Sequence, residues 1–243
     1  VDIPCNPDSA EFDCEVYAQV SSTPVKSLQH PTNNEIWIAA LNGIITSWDG
    51  TTMTEIGNLS DVISNCHNEQ GLLGFEFTHD FSSSQEILLS YTENADCEGG
   101  SNLSGMVIAS VEVVDNKINM NSLVELRTIA KENRNHNGGN LHSLNDGTYL
   151  WSLGDGGGSS DPYGNGQNVH NPLGTIQYFS YGDKMIEPVF DNYGNDTDYV
   201  LHHGLRNPWK FDTDNQGRLW IADVGQYCFC LLYTSDAADD MFR

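Results

Sequence analysis

Positive charge is scarce in this chain. Ten Lys and Arg stand against 34 Asp and Glu in 243 residues, a formal net charge of −24. A surface of that sign repels phosphate backbones and anionic headgroups, so nucleic acid and membrane insertion are both disfavoured. Cations, neutral sugars and basic proteins remain compatible partners. Long apolar runs are missing too, with none reaching the roughly 18 residues that span a bilayer. No signal peptide is visible, and Val1-Asp-Ile-Pro-Cys5 reads as a mature or truncated start, which does not argue for the cytoplasm. Close Cys-x-x-Cys pairs are absent among Cys5, Cys14, Cys66 and Cys97, and with them zinc-knuckle spacing. Helix signals are poor. Ser60 to Ser64 could form one turn, and Asn121 to Lys131 carries apolar spacing but too many Asn, Ser and β-branched residues for a helix.

What is present reads as strand. Glu35–Ala39, Glu86–Tyr91, Thr148–Leu153 and Arg218–Ala222 are short β-branched or aromatic runs, each preceded by polar or glycine residues of turn character. The first continues through Leu41-Asn-Gly43 into Ile44–Trp48, which predicts a hairpin with Gly43 at positive φ. The runs recur roughly 50 to 70 residues apart, a loose spacing for propeller blades with insertions. A β-sandwich built from the same short strands is the alternative. Widely spaced cysteines fit disulfides in an oxidising compartment, with Cys5–Cys14 and Cys66–Cys97 the local choice among three connectivities. Asn58-Leu-Ser60, Asn102-Leu-Ser104 and Asn195-Asp-Thr197 are N-glycosylation triplets, so a secreted glycoprotein is expected. The stretch from Tyr227 differs in texture from everything before it. Cys230-Leu-Leu-Tyr-Thr-Ser-Asp-Ala-Ala-Asp-Asp240 resembles translated adaptor read-through, so residues 227–243 are expected to be a non-native tail, with Cys228 and Cys230 given no function.

Four polar, glycine-rich motifs lie beside the strands. They are Gln70-Gly-Leu-Leu-Gly-Phe75 with His79-Asp80-Phe81, Asn135-His-Asn-Gly-Gly-Asn-Leu141, Gly154-Asp-Gly-Gly-Gly158 with Asp161-Pro162, and Gly204-Leu-Arg-Asn-Pro-Trp209 with Asp223-Val-Gly-Gln226. Glycine permits tight turns and close approach of backbone to a ligand. A His, an Asp, an Arg and a Gln at strand ends are what a funnel-shaped site in a radial β fold would display. No Gly-Lys-Ser/Thr follows the glycine run, so it is not a phosphate loop.

As an ordered set these motifs resemble the soluble quinoprotein glucose/sorbosone dehydrogenases, a family that includes the enzymatic domain of Hedgehog-interacting-protein-like proteins. The resemblance covers about Thr23 to Gln226, between an N-terminal cysteine-containing segment (1–22) and the tail. It implies a six-bladed β-propeller that binds pyrroloquinoline quinone (PQQ) and calcium, of which this chain would hold an incomplete part of three to four blades. It further implies that the later cationic grips on the cofactor lie beyond the end of the chain, so the fragment alone would be inactive. By motif, His136 resembles the general base on the sugar hydroxyl, a role imidazole suits with its reference pKa near 6.5. Asp155 resembles the carboxylate that orients it; an Asx turn before Gly156 is the bland alternative, and one residue could do both. Arg206 resembles the arginine beside the quinone carbonyl, and Asn207 its companion donor, with a surface salt bridge the alternative for Arg206. Gln70 resembles the residue that binds sugar beside the base. Gly225 and Gln226 fall where relatives offer backbone oxygens to calcium. The implied activity is PQQ-dependent oxidation of an aldose with an unidentified electron acceptor. The alternative is a non-catalytic secreted module on the same propeller, binding a protein ligand.

Overall fold

In three of the strand-like runs seen in the sequence the buried positions are nearly continuous, Ile36–Ala40, Glu86–Thr92 and Thr148–Leu153, while in Leu219–Val224 they alternate with exposed ones. A strand with neighbours on both edges and packing on both faces tolerates little exposed polarity. In the computed structural model each of these four runs is the second strand of its own antiparallel sheet. The structure describes residues 16–20, 22–94, 97, 105–189, 198–226 and 230–234.

Sheet one is β1 (Pro24–Gln29), β2 (Ile36–Ala40), β3 (Ile44–Trp48) and β4 (Met53–Asn58); sheet two is β5 (Leu72–Phe77), β6 (Glu86–Thr92), β7 (Met106–Val114) and β8 (Lys117–Ile129). Sheet three is β9 (Gly138–Ser143), β10 (Thr148–Leu153), β11 (Thr175–Gly182) and β12 (Met185–Pro188), with β13 (Val200–His203) pairing the other half of the β11 edge. Sheet four is β14 (Pro208–Thr213), β15 (Leu219–Val224) and β16 (Cys230–Thr234). Neighbouring strands within a sheet mostly follow one another in sequence, some through tight turns and others, such as β10 to β11, through long loops. Gly43 takes φ +88° between β2 and β3, as expected, and Asp115-Asn116 takes φ 51° and 60° between β7 and β8. The stretch Asn121–Lys131 is strand to Ile129, and α1 (Phe81–Ser84) is a single turn.

The leading strands pack side by side, β1 on β5, β5 on β9 and β9 on β14, while β4 meets β8 farther out. That is a radial, four-bladed propeller arrangement rather than a sandwich. The apolar core lies between blades. Trp37, Phe75, Phe77 and Phe81 fill the space between sheets one and two; Leu88, Ile108, Leu141 and Trp151 join two to three; Leu150, Ile176, Phe211 and Ile221 join three to four. Trp151 Nε1 also donates to Ser90 Oγ at 2.8 Å across sheets two and three.

Two expectations are corrected here. The six-bladed propeller, with this chain as an incomplete three-to-four-blade part, gives way to four blades, because the chain's own four buried strand cores each seed one sheet. The expectation of an inactive fragment is corrected with it, since core clusters join sheet one to two, two to three and three to four in one propeller arrangement. Part of the expected tail forms β16, an outer strand with Leu232 two-thirds exposed and Cys230 a free, exposed thiol. Cys66–Cys97 is a disulfide, as expected; Cys5, Cys14, Cys228, Asn102 and Asn195 lie outside the described residues, and Asn58 is exposed at the end of β4. Among the described residues no helix is long and apolar enough to cross a membrane.

Candidate functional site

Antiparallel pairing brings the glycine-rich motifs to one end of the propeller. Gly138, the first residue of β9, pairs with Leu153, the last of β10, so the residue pair just beyond them, His136 and Asp155, must meet. Pro208 of β14 pairs with Asp223 of β15, which sets Arg206 and Asn207 beside Asp223 through Gln226. Glu69 and Gln70 precede β5, the leading strand of the neighbouring sheet. All of these belong to strand ends on the same rim.

His136 Nδ1 lies 2.6 Å from Asp155 Oδ1, and both side chains are buried, at 3% and 2% exposure. Asp155 Oδ1 also accepts the Gly157 N–H at 2.8 Å. One oxygen of Asp155 thus meets both the histidine ring and the backbone of the glycine turn. His136 sits at φ +53°, a sparsely populated region that costs on the order of 1–3 kcal/mol and is held only when its surroundings demand it. Glycines make that possible: a Cβ on Gly154 would collide with the His136 carbonyl oxygen, and one on Gly157 with the side chain of Asn135.

Cross-sheet hydrogen bonds tie the rim together. Asp155 N–H donates to the Arg206 carbonyl at 2.8 Å, and the Gly138 N–H donates to Asn207 Oδ1 at 3.0 Å. Asp223 accepts the Arg206 and Asn207 N–H groups at 3.0 and 2.6 Å. Burial raises the Asp223 carboxyl above its ordinary pKa, and those two N–H groups and Arg206 oppose the rise. The Arg206 guanidinium donates through Nε to Gln226 Oε1 at 3.2 Å and through Nη1 to the Val224 carbonyl at 2.8 Å. Among the described residues no carboxylate lies within ion-pair distance of it, so the surface salt bridge considered for Arg206 is not formed.

The structure thus gathers His136, Asp155, Arg206 and Asn207 into one hydrogen-bonded group. Gln70 is buried nearby, its Oε1 taken by Ser64 Oγ at 3.4 Å and its Nε2 without a partner among the described residues. Its neighbour Glu69 makes the contacts: Oε2 accepts the His136 N–H at 2.8 Å and Asn207 Nδ2 at 3.4 Å. The Gln226 side chain is engaged with Arg206, Ser159 and Ser160. No group of three or more His, Cys, Asp or Glu is placed to hold a metal among the described residues. Sequence reasoning missed Glu69 and also Lys131, which is 3% exposed behind the histidine loop. Burial lowers the Lys131 ammonium to about 8, against the raising influence of Glu69, Asp155 and Glu132. The signal for Lys131 was its rarity, one of ten basic residues and only five positions before His136.

Solved structures share the propeller fold. The PQQ-bound aldose sugar dehydrogenase of Streptomyces coelicolor superposes with TM-score 0.73 at 22% identity, covering 90% of this chain and 61% of that one. The soluble aldose sugar dehydrogenase of Escherichia coli, in its apo form, gives TM-score 0.72 at 19% identity, covering 87% and 60%. The HIPL1 protein of Arabidopsis thaliana is 31% identical over 110 residues, 37% of this chain and 16% of that protein. This chain therefore spans less than two thirds of the length of each of these relatives. The sequence profile of the glucose/sorbosone dehydrogenases matches residues 22–228. That match, over most of its length, places the chain in the Glucose / Sorbosone dehydrogenase family.

Proposed function

We propose that this chain carries the sugar-oxidising site of a PQQ-dependent aldose dehydrogenase. The observation that carries the reading is the buried His136–Asp155 pair at 2.6 Å, hydrogen-bonded to the backbone of an arginine that has no acidic partner among the described residues. The fold shared with the PQQ-bound Streptomyces coelicolor enzyme supports it.

The residues fit a planar quinone bearing carboxylates. Arg206 offers a permanent cation, Asn207 a carboxamide, and Gln70 Nε2 is a buried donor that lacks a hydrogen bond. Arg206 and Asn207 would hold the cofactor, and when bound it supplies the two-electron acceptor for sugar oxidation. Asp155 accepts the Nδ1 proton of His136 and so assigns the tautomer in which Nε2 is the free base. Nε2 takes the proton of the sugar hydroxyl, and the Asp155 carboxylate stabilises the imidazolium that results. Gln70 would orient the sugar. Calcium on the backbone oxygens of Gly225 and Gln226 belongs to the same proposal, although no step is derived through it. The site would work outside the cell, with a sugar as substrate and a separate electron acceptor.

The test loads the full chain with PQQ, with and without calcium, and follows sugar-dependent reduction of an artificial acceptor dye. Turnover is expected, and His136→Ala should lose roughly 10²–10⁴ of it, the usual worth of a general base. A wild type that binds PQQ but never reduces dye would leave the binding-module alternative.

A further inference from the structure

Lys131 is buried, yet no carboxylate lies within 4 Å of its ammonium among the described residues. A buried charge must find hydrogen bonds elsewhere, and Lys131 finds them on the backbone. Its Nζ donates to the carbonyl oxygens of Asn133 and of Asn135, the latter at 3.0 Å. The Asn135 carbonyl belongs to the same peptide unit as the His136 N–H, which donates to Glu69 Oε2 at 2.8 Å. One peptide is therefore held at its oxygen by a cation and at its nitrogen by an anion. The residue that follows is His136, whose φ of +53° needs such restraint. The loop is also pinned to the glycine run, with Asn133 N–H on the Gly156 carbonyl at 3.0 Å and Gly158 N–H on Asn135 Oδ1 at 3.3 Å.

We propose that Lys131 is a positioning residue: with Glu69 opposite, it clamps the Asn135–His136 peptide and so holds the imidazole against Asp155. The inference rests on the reading of His136 as general base. An ammonium suits the task because its three donors reach two converging carbonyls at once, and the charge strengthens both bonds in a low-dielectric interior.

The test is proton NMR of the full chain without cofactor, observing the far-downfield Nδ1 proton of His136 and assigning it by its loss in His136→Gln. Lys131→Met should abolish that resonance, and Lys131→Arg, which keeps a buried cation, should retain it. In the dye assay Lys131→Met should lower kcat roughly 10²-fold, the effect of a misplaced base, with KM nearly unchanged. Retention of the resonance in folded Lys131→Met overturns the proposal. If that variant does not fold by circular dichroism, Lys131→Gln decides on the same criterion, loss supporting the clamp and retention overturning it. The resonance needs neither quinone nor turnover. An inactive wild type with the expected NMR result would therefore sink the catalytic reading alone.

Discussion

Two histidines are almost equally buried in this protein, and their surroundings could hardly differ more. His30, 5% exposed, sits between sheets one and two with ring centroids 5.2 Å from Trp37, 5.4 Å from Phe77 and 5.2 Å from Phe81. Burial lowers its pKa, and the neighbouring Glu35 opposes the shift without reversing it. His30 thus behaves as one more ring of an aromatic cluster, with Nδ1 accepting from the Thr32 N–H at 3.3 Å. His136, 3% exposed, has a buried carboxylate on Nδ1, a left-handed backbone and a peptide held between Lys131 and Glu69. The contrast teaches that burial by itself makes a packing histidine. A candidate base needs a partner that sets its tautomer and a backbone held where packing alone would not leave it.

The largest expected effect tests that contrast directly. Asp155→Asn should remove turnover nearly as completely as His136→Ala, because a carboxamide no longer selects the Nδ1–H tautomer. His30→Phe should leave dye reduction intact; a comparable loss there would erase the distinction. On the aromatic side, Trp37→Ala should cost about 3–5 kcal/mol in urea unfolding, the range for emptying a fully buried ring. A loss under 1 kcal/mol would mean that the cluster is not the structural half. Replacing both Cys66 and Cys97 by Ser should cost about 2–4 kcal/mol, since the bridge closes a sequence separation of 31 residues. The site resonance of His136 should survive that change.

A pH signature of the buried cations is expected as well. Lys131 and Lys210 are each lowered to about 8 by burial. In the unfolded chain a lysine titrates near about 10.4. Between those values the unfolded state binds more protons, so stability should rise as pH increases from 8 towards 10. Above that, burial works in the opposite direction through tyrosine. Tyr149 is raised to about 12 and Tyr91 and Tyr181 are raised further, so unfolded tyrosines deprotonate first and stability should fall. Urea midpoints across this range should show the maximum. The Lys131→Met, Lys210→Met double variant should lose the rising limb, and a wild type flat from pH 8 to 10 would contradict the assigned burial of both ammonium groups.

Strand identity was legible in the sequence where burial is two-sided. Glu86–Tyr91 and Thr148–Leu153 announce themselves because they are second strands, enclosed within their sheets. Outer strands such as Met185–Pro188, with burial on few residues, carry no comparable texture. The number of blades was misjudged because it came from the resemblance, while the chain's own four apolar runs already numbered the sheets. Among site residues, His136 and Asp155 stood out through the glycines that let their loops touch. Lys131 stayed hidden because its partners are backbone carbonyls, and Glu69 because it meets a backbone N–H and an Asn207 side chain 138 positions away, neither of which leaves a local pattern.

By itself the sequence determined the charge, the strand cores and the glycine positions, and it narrowed the cysteine pairing to a local choice that the structure bears out at Cys66–Cys97. These are properties of single segments, set by side-chain chemistry over a few residues. Only the tertiary structure decided that the starts of β5, β9 and β14 share one rim, and that Arg206 faces Gln226 and the Val224 carbonyl instead of an acid. Those outcomes depend on which sheet packs against which. Residues separated by 67 to 138 positions then share a carboxylate, and no local pattern encodes such a distance.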